Sequence, residues 1–341
     1  MIKTILIKTS GKARTEAFAL LTALALLSCG CSAKPAPPVN DTRLLLDTVC
    51  TVTLYDPPDM SIISEAMDLC EKYDAMFSIS REGSDVWRIN HAGGAPVPVD
   101  PQTAELIRLG LQYGDYSGGL FDITIGRVST LWDFSGNPSV PSSSDLAAAL
   151  ATVDYRQVAV TGDIVQLHDP EAWIDLGGIA KGYIADHLAA FLKERGAKGA
   201  VIDLGGNIVV IGAKQDGSPW RVGIREPFDE SGGIIGALTT TEASVVTSGI
   251  YQRQFSQDGV VYFHILDPGT GMPGRTDVVS ATVLTDSSAA GDALSTILVL
   301  GGSSRAASLL ENAPGYIGAL LILDDGRLVS LGDADFAPRE Q

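Results

Sequence analysis

Residues 44–55 are dense in β-branched and aliphatic side chains and stop at Asp56-Pro57-Pro58, a pattern that predicts one strand closed by a turn. Over residues 61–77 the apolar spacing becomes helical, with Ile63, Met67, Cys70 and Met76 near one face and Ser61 placed as a cap. The same spacing predicts helices over 104–116 and, behind a serine-rich start containing Asp145, over 142–153. Residues 158–167, broken by Thr161-Gly162-Asp163, read as a hairpin. Strand patterns then dominate, at 173–176, 200–204, 208–211, 220–224 and 237–241. Between the first two lies a helix over 182–195, with Ile184, Leu188, Phe191 and Leu192 at core spacing. Helices at 288–300 and 304–312 and a hairpin over 319–329 around Asp324-Asp325-Gly326 end the chain. Hairpins mixed with helices, without strict βαβ alternation, predict an α+β fold with largely antiparallel sheets.

The first residues break this pattern. Lys3, Lys8, Lys12 and Arg14 precede an unbroken small-apolar run from Ala17 to Leu27, too short for a permanent membrane span, and this predicts an export signal over 1–28. Leu26-Leu27-Ser28-Cys29 resembles the lipobox of bacterial lipoproteins, so Cys29 is the expected lipidated residue, with Cys31 the weaker candidate. Residues 29–43, with Pro35, Pro37 and Pro38, read as a tether holding a domain over 44–336 at the outer face of the cytoplasmic membrane. Only Cys50 and Cys70 lie beyond it, either as a disulfide or as buried thiols.

The formal charge of −17 argues against nucleic acid and against electrostatic membrane binding. An acidic protein that binds a polyphosphate must do so with backbone amides, single cations and a divalent metal. IDLGGIAKGY at 174–183 has that layout: a strand ending in paired glycines, then a helix opened by Lys181. It is neither a P-loop nor GxGxxG, and the alternative is a simple Gly-Gly turn. IDLGG returns at 202–206, followed by Asn207. Asp292 and Thr296, four apart in GDALST, place two hard oxygens on one helix face, which suits Mg²⁺. His264, in HILDPGTG at 264–271, stands where a strand becomes a loop and is a candidate general base, or else a structural histidine bonded to Asp267. GGLFD at 118–122, followed by Thr124 and the pair Trp132 and Phe134, reads as a loop with an exposed carboxylate beside apolar groups able to hold a flat heterocycle. Thr247-Ser248-Gly249 and Tyr251 read as a small-residue turn between strands.

Together, FSIS at 77–80 with Ser84 and Asn90, GLFD at 119–122, Leu131-Trp132, IDLGGIAKGY, IDLGGN, Thr247-Ser248-Gly249, HILDPGTG and DALST resemble, in this order, the ApbE family of FAD:protein FMN transferases. The resemblance runs over residues 44–336 and implies a tunnelling-fold-like arrangement of antiparallel sheets and packed helices. It implies Mg²⁺ held by Asp292, Thr296 and the carbonyl of Gly178. FAD would contact Leu120, Phe121, Asp122, Asp175, Lys181, Ser248 and Ile265, with His264 as base. A threonine or serine hydroxyl of a partner, such as a subunit of a membrane redox complex or a secreted flavoprotein, would attack the FMN-side phosphorus and release AMP. Ser80 stands where most relatives carry a tyrosine against the flavin nucleotide, and Asp47 where they carry glycine. The missing aromatic wall leaves hydrolysis of FAD to FMN and AMP as an alternative, and flavin binding without chemistry as another.

Overall fold

The computed structural model describes residues 37–339 except 56, 58, 135 and 230, so the expected signal and Cys29 lie outside the described residues. The first expected strand is a hairpin: β1 (Val39–Leu45) pairs antiparallel with β2 (Thr48–Tyr55). In its two-residue turn Leu46 and Asp47 both adopt positive φ, 54° and 55°, which matches the twist of the strands it joins. β1 begins within the stretch read as tether. Its polar residues sit on an edge strand, where Asn40 and Thr42 face solvent, and so they resemble a linker.

Helix α1 (Ser61–Phe77) has the expected bounds, but Ser61 is not its cap. Its N–H bonds Asp59 Oδ1 at 2.9 Å, and its hydroxyl bonds Glu65. Then follow α2 (Asp85–Asn90), β3 (Val97–Pro98), α3 (Pro101–Ser117), α4 (Gly126–Trp132), α5 (Ser143–Leu150), β4 (Val158–Thr161) and β5 (Ile164–Leu167). The central region comprises α6 (Ala180–Glu194), β6 (Gly199–Leu204), β7 (Asn207–Ile211), β8 (Trp220–Arg225), β9 (Ile234–Thr240) and β10 (Ala243–Gly249). After it come β11 (Gln254–Gln257), β12 (Val260–Phe263), β13 (Val278–Thr285), α7 (Ser288–Gly301), α8 (Ser303–Leu310), β14 (Tyr316–Leu323), β15 (Leu328–Gly332) and β16 (Phe336–Pro338).

Eight strands form one antiparallel sheet in the order β1-β2-β6-β7-β10-β13-β14-β15. Helices α1, α6 and α7 supply Met67, Leu188, Leu294 and Ile297 to the larger core. A second core joins Trp220, Val222 and Leu238 of the small sheet β16-β9-β8 to Val245, Leu284 and Ile322 of the main one. Strand β13 is therefore buried at all eight positions. A strand covered on both faces shows no alternation, which is why no strand is predicted there. Cys50 and Cys70 are fully buried free thiols.

Residues 173–176 are not a strand. Their backbone is satisfied by a side chain: Ile174 N–H donates to Asn90 Oδ1 at 2.8 Å, and Asn90 Nδ2 donates to the Ile174 carbonyl at 2.9 Å. Thr247, Ser248 and Gly249 are not a turn but the end of β10.

Candidate functional site

The segment that Asn90 pins runs into the start of α6. Asp175 holds it from both sides, accepting the Gly177 N–H at Oδ1 (2.9 Å) and the Ser129 hydroxyl at Oδ2 (2.7 Å). Its own N–H reaches the Ile123 carbonyl at 2.7 Å, tying this segment to the loop after α3. In that loop Phe121 lies against Gly178, where an added Cβ would stand 3.0 Å from the ring. Leu120 is half-buried against the core. Asp122 differs from expectation: its carboxylate is buried, accepting the Thr124 N–H (2.8 Å) and hydroxyl (2.6 Å) at Oδ1 and the Tyr155 N–H (3.1 Å) at Oδ2. Burial raises its pKa, against the pull of those bonds. The Asp122 side chain thus shapes the loop and is not presented to solvent. Trp132 is also fully buried, stacked on Phe134 beside Phe255 and Tyr262, and bonded to the Gly271 carbonyl. It is core, not a platform for a ring.

Helix α6 meets α7 at Gly182. A Cβ there would fall well inside the van der Waals contact distance of the Ser288 carbonyl oxygen and 2.6 Å from Ala289 Cα, so only glycine permits this approach. The approach lets the Gly182 N–H donate to Asp292 Oδ2 at 2.6 Å. Asn207, from the second IDLGG, donates to Asp292 Oδ1 at 3.1 Å, and Lys181 Nζ lies 3.9 Å from the same oxygen. Burial raises the Asp292 pKa, and Lys181, Asn207 and Gly182 only partly oppose it. One turn further along α7, the Thr296 hydroxyl is 3.3 Å from that of Ser248, which also contacts Ser295 at 2.8 Å. Strand β10 thereby delivers Ser248 to the side of α7 that carries Ser295 and Thr296.

His264 directly follows β12, as expected, but it is not bonded to Asp267, which instead accepts the Gly269 N–H and the Thr270 hydroxyl. The His264 N–H donates to the Arg253 carbonyl at 3.1 Å, and the Arg253 guanidinium reaches the Asp47 carbonyl at 3.0 Å. Imidazole Nδ1 is sealed from solvent and has no hydrogen-bond partner among the described residues. Burial, then the charges of Arg253 and Lys181, lower the His264 pKa to about 4. The ring is neutral at neutral pH, as a proton acceptor must be. Ile265 is buried, its carbonyl taken by the Gly274 N–H at 2.9 Å. Ser80 is exposed after α1, its hydroxyl 3.3 Å from that of Ser78.

Residues 46–321 match the ApbE family. The chain belongs to the ApbE family. It is 33% identical over 322 residues to the FAD:protein FMN transferase of Treponema pallidum, covering 88% of each chain. It is 36% identical over 262 residues to a Klebsiella pneumoniae protein of the same name, covering 75% of this chain and 80% of that one. The solved ApbE protein of Thermotoga maritima superposes with a TM-score of 0.80 at 29% identity, covering 87% of this chain and 97% of its own. The flavin transferase ApbE of Vibrio cholerae does so with 0.78 at 28%, covering 88% and 98%.

The donors of this ApbE chain fit the divalent cation that the resemblance implies. In a regular helix the Gly182 N–H would close a turn on the Gly178 carbonyl; here it is turned to Asp292, leaving that carbonyl free of its helical donor. One under-compensated carboxylate, a hydroxyl one turn away and a released carbonyl are hard oxygens of the number Mg²⁺ takes from protein, water and phosphate completing its shell. Sequence reasoning left Gly182, Ser129, Ser295 and Arg253 without a role. Only the repeated IDLGG singled out Asn207, and no local pattern marks Arg253.

Proposed function

We propose that this protein transfers FMN from FAD to a threonine or serine hydroxyl of a partner protein, with Mg²⁺ held by Asp292, Thr296 and the Gly178 carbonyl. The observation that carries this reading is the meeting of the glycine-opened α6 terminus and Lys181 with the Asp292–Thr296 face of α7, with His264 close enough for the Lys181 charge to help keep its ring neutral. Asp175, Lys181 and the loop 120–122 line the flavin nucleotide. In that loop the side chain of Asp122 acts by holding the backbone, and Ser248 and Ile265 frame the opposite side. His264 accepts the proton of the attacking hydroxyl. The new bond joins that oxygen to the FMN-side phosphorus, the pyrophosphate P–O bond breaks, and AMP leaves with the electron pair. Lys181 and the α6 N–H groups favour the negative charge of the phosphates. Bound Mg²⁺ would neutralise charge on the pyrophosphate and the leaving group. The acidic chain needs no general basic surface, because Lys181 and the backbone N–H groups of this site act on the phosphates at close range. Cys29 is proposed as the lipid attachment point, placing the enzyme at the outer face of the cytoplasmic membrane.

Incubation of a threonine-containing acceptor domain with the protein, FAD and Mg²⁺ tests this. The acceptor mass should rise by one FMN less water, with an equal amount of AMP. AMP without a modified acceptor would favour the second reading, FAD hydrolysis, for which Ser80 speaks: a small exposed side chain stands where relatives have an aromatic wall. Ser80→Tyr should then raise the ratio of attached FMN to released AMP. An unchanged ratio would remove Ser80 from the account.

A further inference from the structure

We infer that Asn207 is a positioning residue for the cation site: with Ser288 behind it, it holds the Asp292 carboxylate in one fixed orientation from which that group can meet a divalent ion. The inference rests on the metal-dependent reading above and deepens it. A carboxylate on a helix is by itself free to turn about its side-chain bonds. Here each oxygen of Asp292 is held from a different element. The Gly182 N–H of α6 donates to Oδ2 at 2.6 Å, and Asn207 Nδ2 of β7 donates to Oδ1 at 3.1 Å. An ionised carboxylate offers about four acceptor positions, so these two bonds fix the group and leave it capacity for a cation.

The Asn207 amide can face Asp292 in only one sense. An ionised carboxylate accepts and does not donate, so the amide NH2 must point to it and Oδ1 away from it. Oδ1 meets the Ser288 hydroxyl, which donates at 2.6 Å. Ser288 is anchored in turn, its N–H donating to Asp186 Oδ1 at 2.7 Å. Asp186 lies one turn beyond Gly182 on α6, so the bonds run from Asp186 through Ser288, Asn207 and Asp292 to Gly182 and close through the helix. Asn207 is 1% exposed and therefore acts on a ligand only through Asp292. Its place is set by the turn before it. β6 and β7 are joined by Gly205 and Gly206 alone, both at positive φ, 66° and 91°, and Asp203 Oδ1 takes the Gly206 N–H at 3.0 Å. The two IDLGG segments thus serve one site by different means. The first supplies the α6 terminus and the Gly178 carbonyl, and the second supplies the amide that holds Asp292.

The test is Mn²⁺ binding to the full chain, read from the free-ion electron paramagnetic resonance signal, in the parent, Asn207→Leu, Ser288→Ala and the double variant. Asn207→Leu should weaken Mn²⁺ binding about tenfold or more, as removal of a group that orients a metal ligand does. Ser288→Ala should weaken it by a smaller factor. In the Asn207→Leu background it should change nothing, because the hydroxyl then has no amide to orient. FAD affinity in the presence of a chelator, followed by flavin fluorescence, should remain that of the parent. Parent-like Mn²⁺ affinity in Asn207→Leu would overturn the inference. Losses that multiply in the double variant would overturn it too, since Ser288 would then not act through Asn207, and so would an equal loss of metal-free FAD affinity, which would mean a loosened site. If Asn207→Leu fails to fold, Ser288→Ala decides: unchanged Mn²⁺ affinity overturns the inference, and weaker binding at parent FAD affinity supports it. A parent chain that takes up no Mn²⁺ would instead remove the metal reading on which the inference stands.

Discussion

The neutral imidazole of His264 can be tested by pH. An ordinary histidine with a pKa near 6.5 is only about 9% neutral at pH 5.5, whereas a group titrating near 4 is about 97% neutral there. With its pKa lowered to about 4 by burial and by Arg253 and Lys181, His264 should keep kcat/KM for FAD nearly constant from pH 7.5 to 5.5. An unperturbed base would lose about tenfold over that span. Because kcat/KM reports the free enzyme, the profile reads this ring before phosphate arrives. The assay is AMP release at saturating Mg²⁺, with thermal unfolding followed at each pH to exclude denaturation. Arg253→Gln removes the charge with the larger effect on His264 and keeps a donor for the Asp47 carbonyl, so the acid limb should move part of the way up towards 6.5, burial still holding it down. Arg253 is not among the groups acting on Asp292, and a moving limb therefore assigns it to His264. An acid limb near pH 6.5 in the parent, or one indifferent to Arg253, would refute the reasoning. The same depressed pKa has a stability consequence. Stability is complete above about pH 6.5 and declines by up to about 3 kcal/mol as pH falls to about 4, because the unfolded state takes the proton first.

Gly182→Ala should cost about 2–4 kcal/mol, because the clashing atoms belong to the backbone of α7. It should also weaken Mg²⁺ dependence; thermal unfolding and Mg²⁺ titration check it, and a variant within 0.5 kcal/mol of the parent would exclude tight packing there. Asn90→Leu leaves both backbone groups of Ile174 unpaired and should destabilise by about 3 kcal/mol, with weaker FAD binding by fluorescence as the segment before α6 loosens. Asp292→Ala should abolish Mg²⁺-dependent AMP release while the fold persists by circular dichroism, and activity at parent level would exclude Asp292 as a ligand. Cys29→Ser should release the protein from the membrane fraction on cell fractionation, and continued membrane association would argue against lipidation at that residue.

Helices and solvent-facing strands were legible from the chain because each buries only one face, and a one-sided environment writes a period into the residues. Helix α1 was read to the residue for this reason. The turn at Leu46–Asp47 escaped detection because neither residue carries the glycine or asparagine that usually marks such turns. Strand β13 was invisible since helices cover one face and the small sheet the other. At the site, glycines, Lys181, Asp292, Thr296 and His264 could be nominated from chemistry and spacing, and the set of motifs carried the family. By itself the sequence determined the α+β class and the family, and it nominated the segment 174–183 and the Asp292–Thr296 pair as candidates for a polyanion and a cation. Only the tertiary structure decided that Asp122 turns inward, that Gly182 passes its N–H to Asp292 and releases Gly178, and that Arg253 connects two hairpins to His264. The bonds from Tyr155 to Asp122, from Gly182 to Asp292 and from Arg253 to Asp47 join residues 33 to 206 positions apart, and no local periodicity records a partner so distant along the chain.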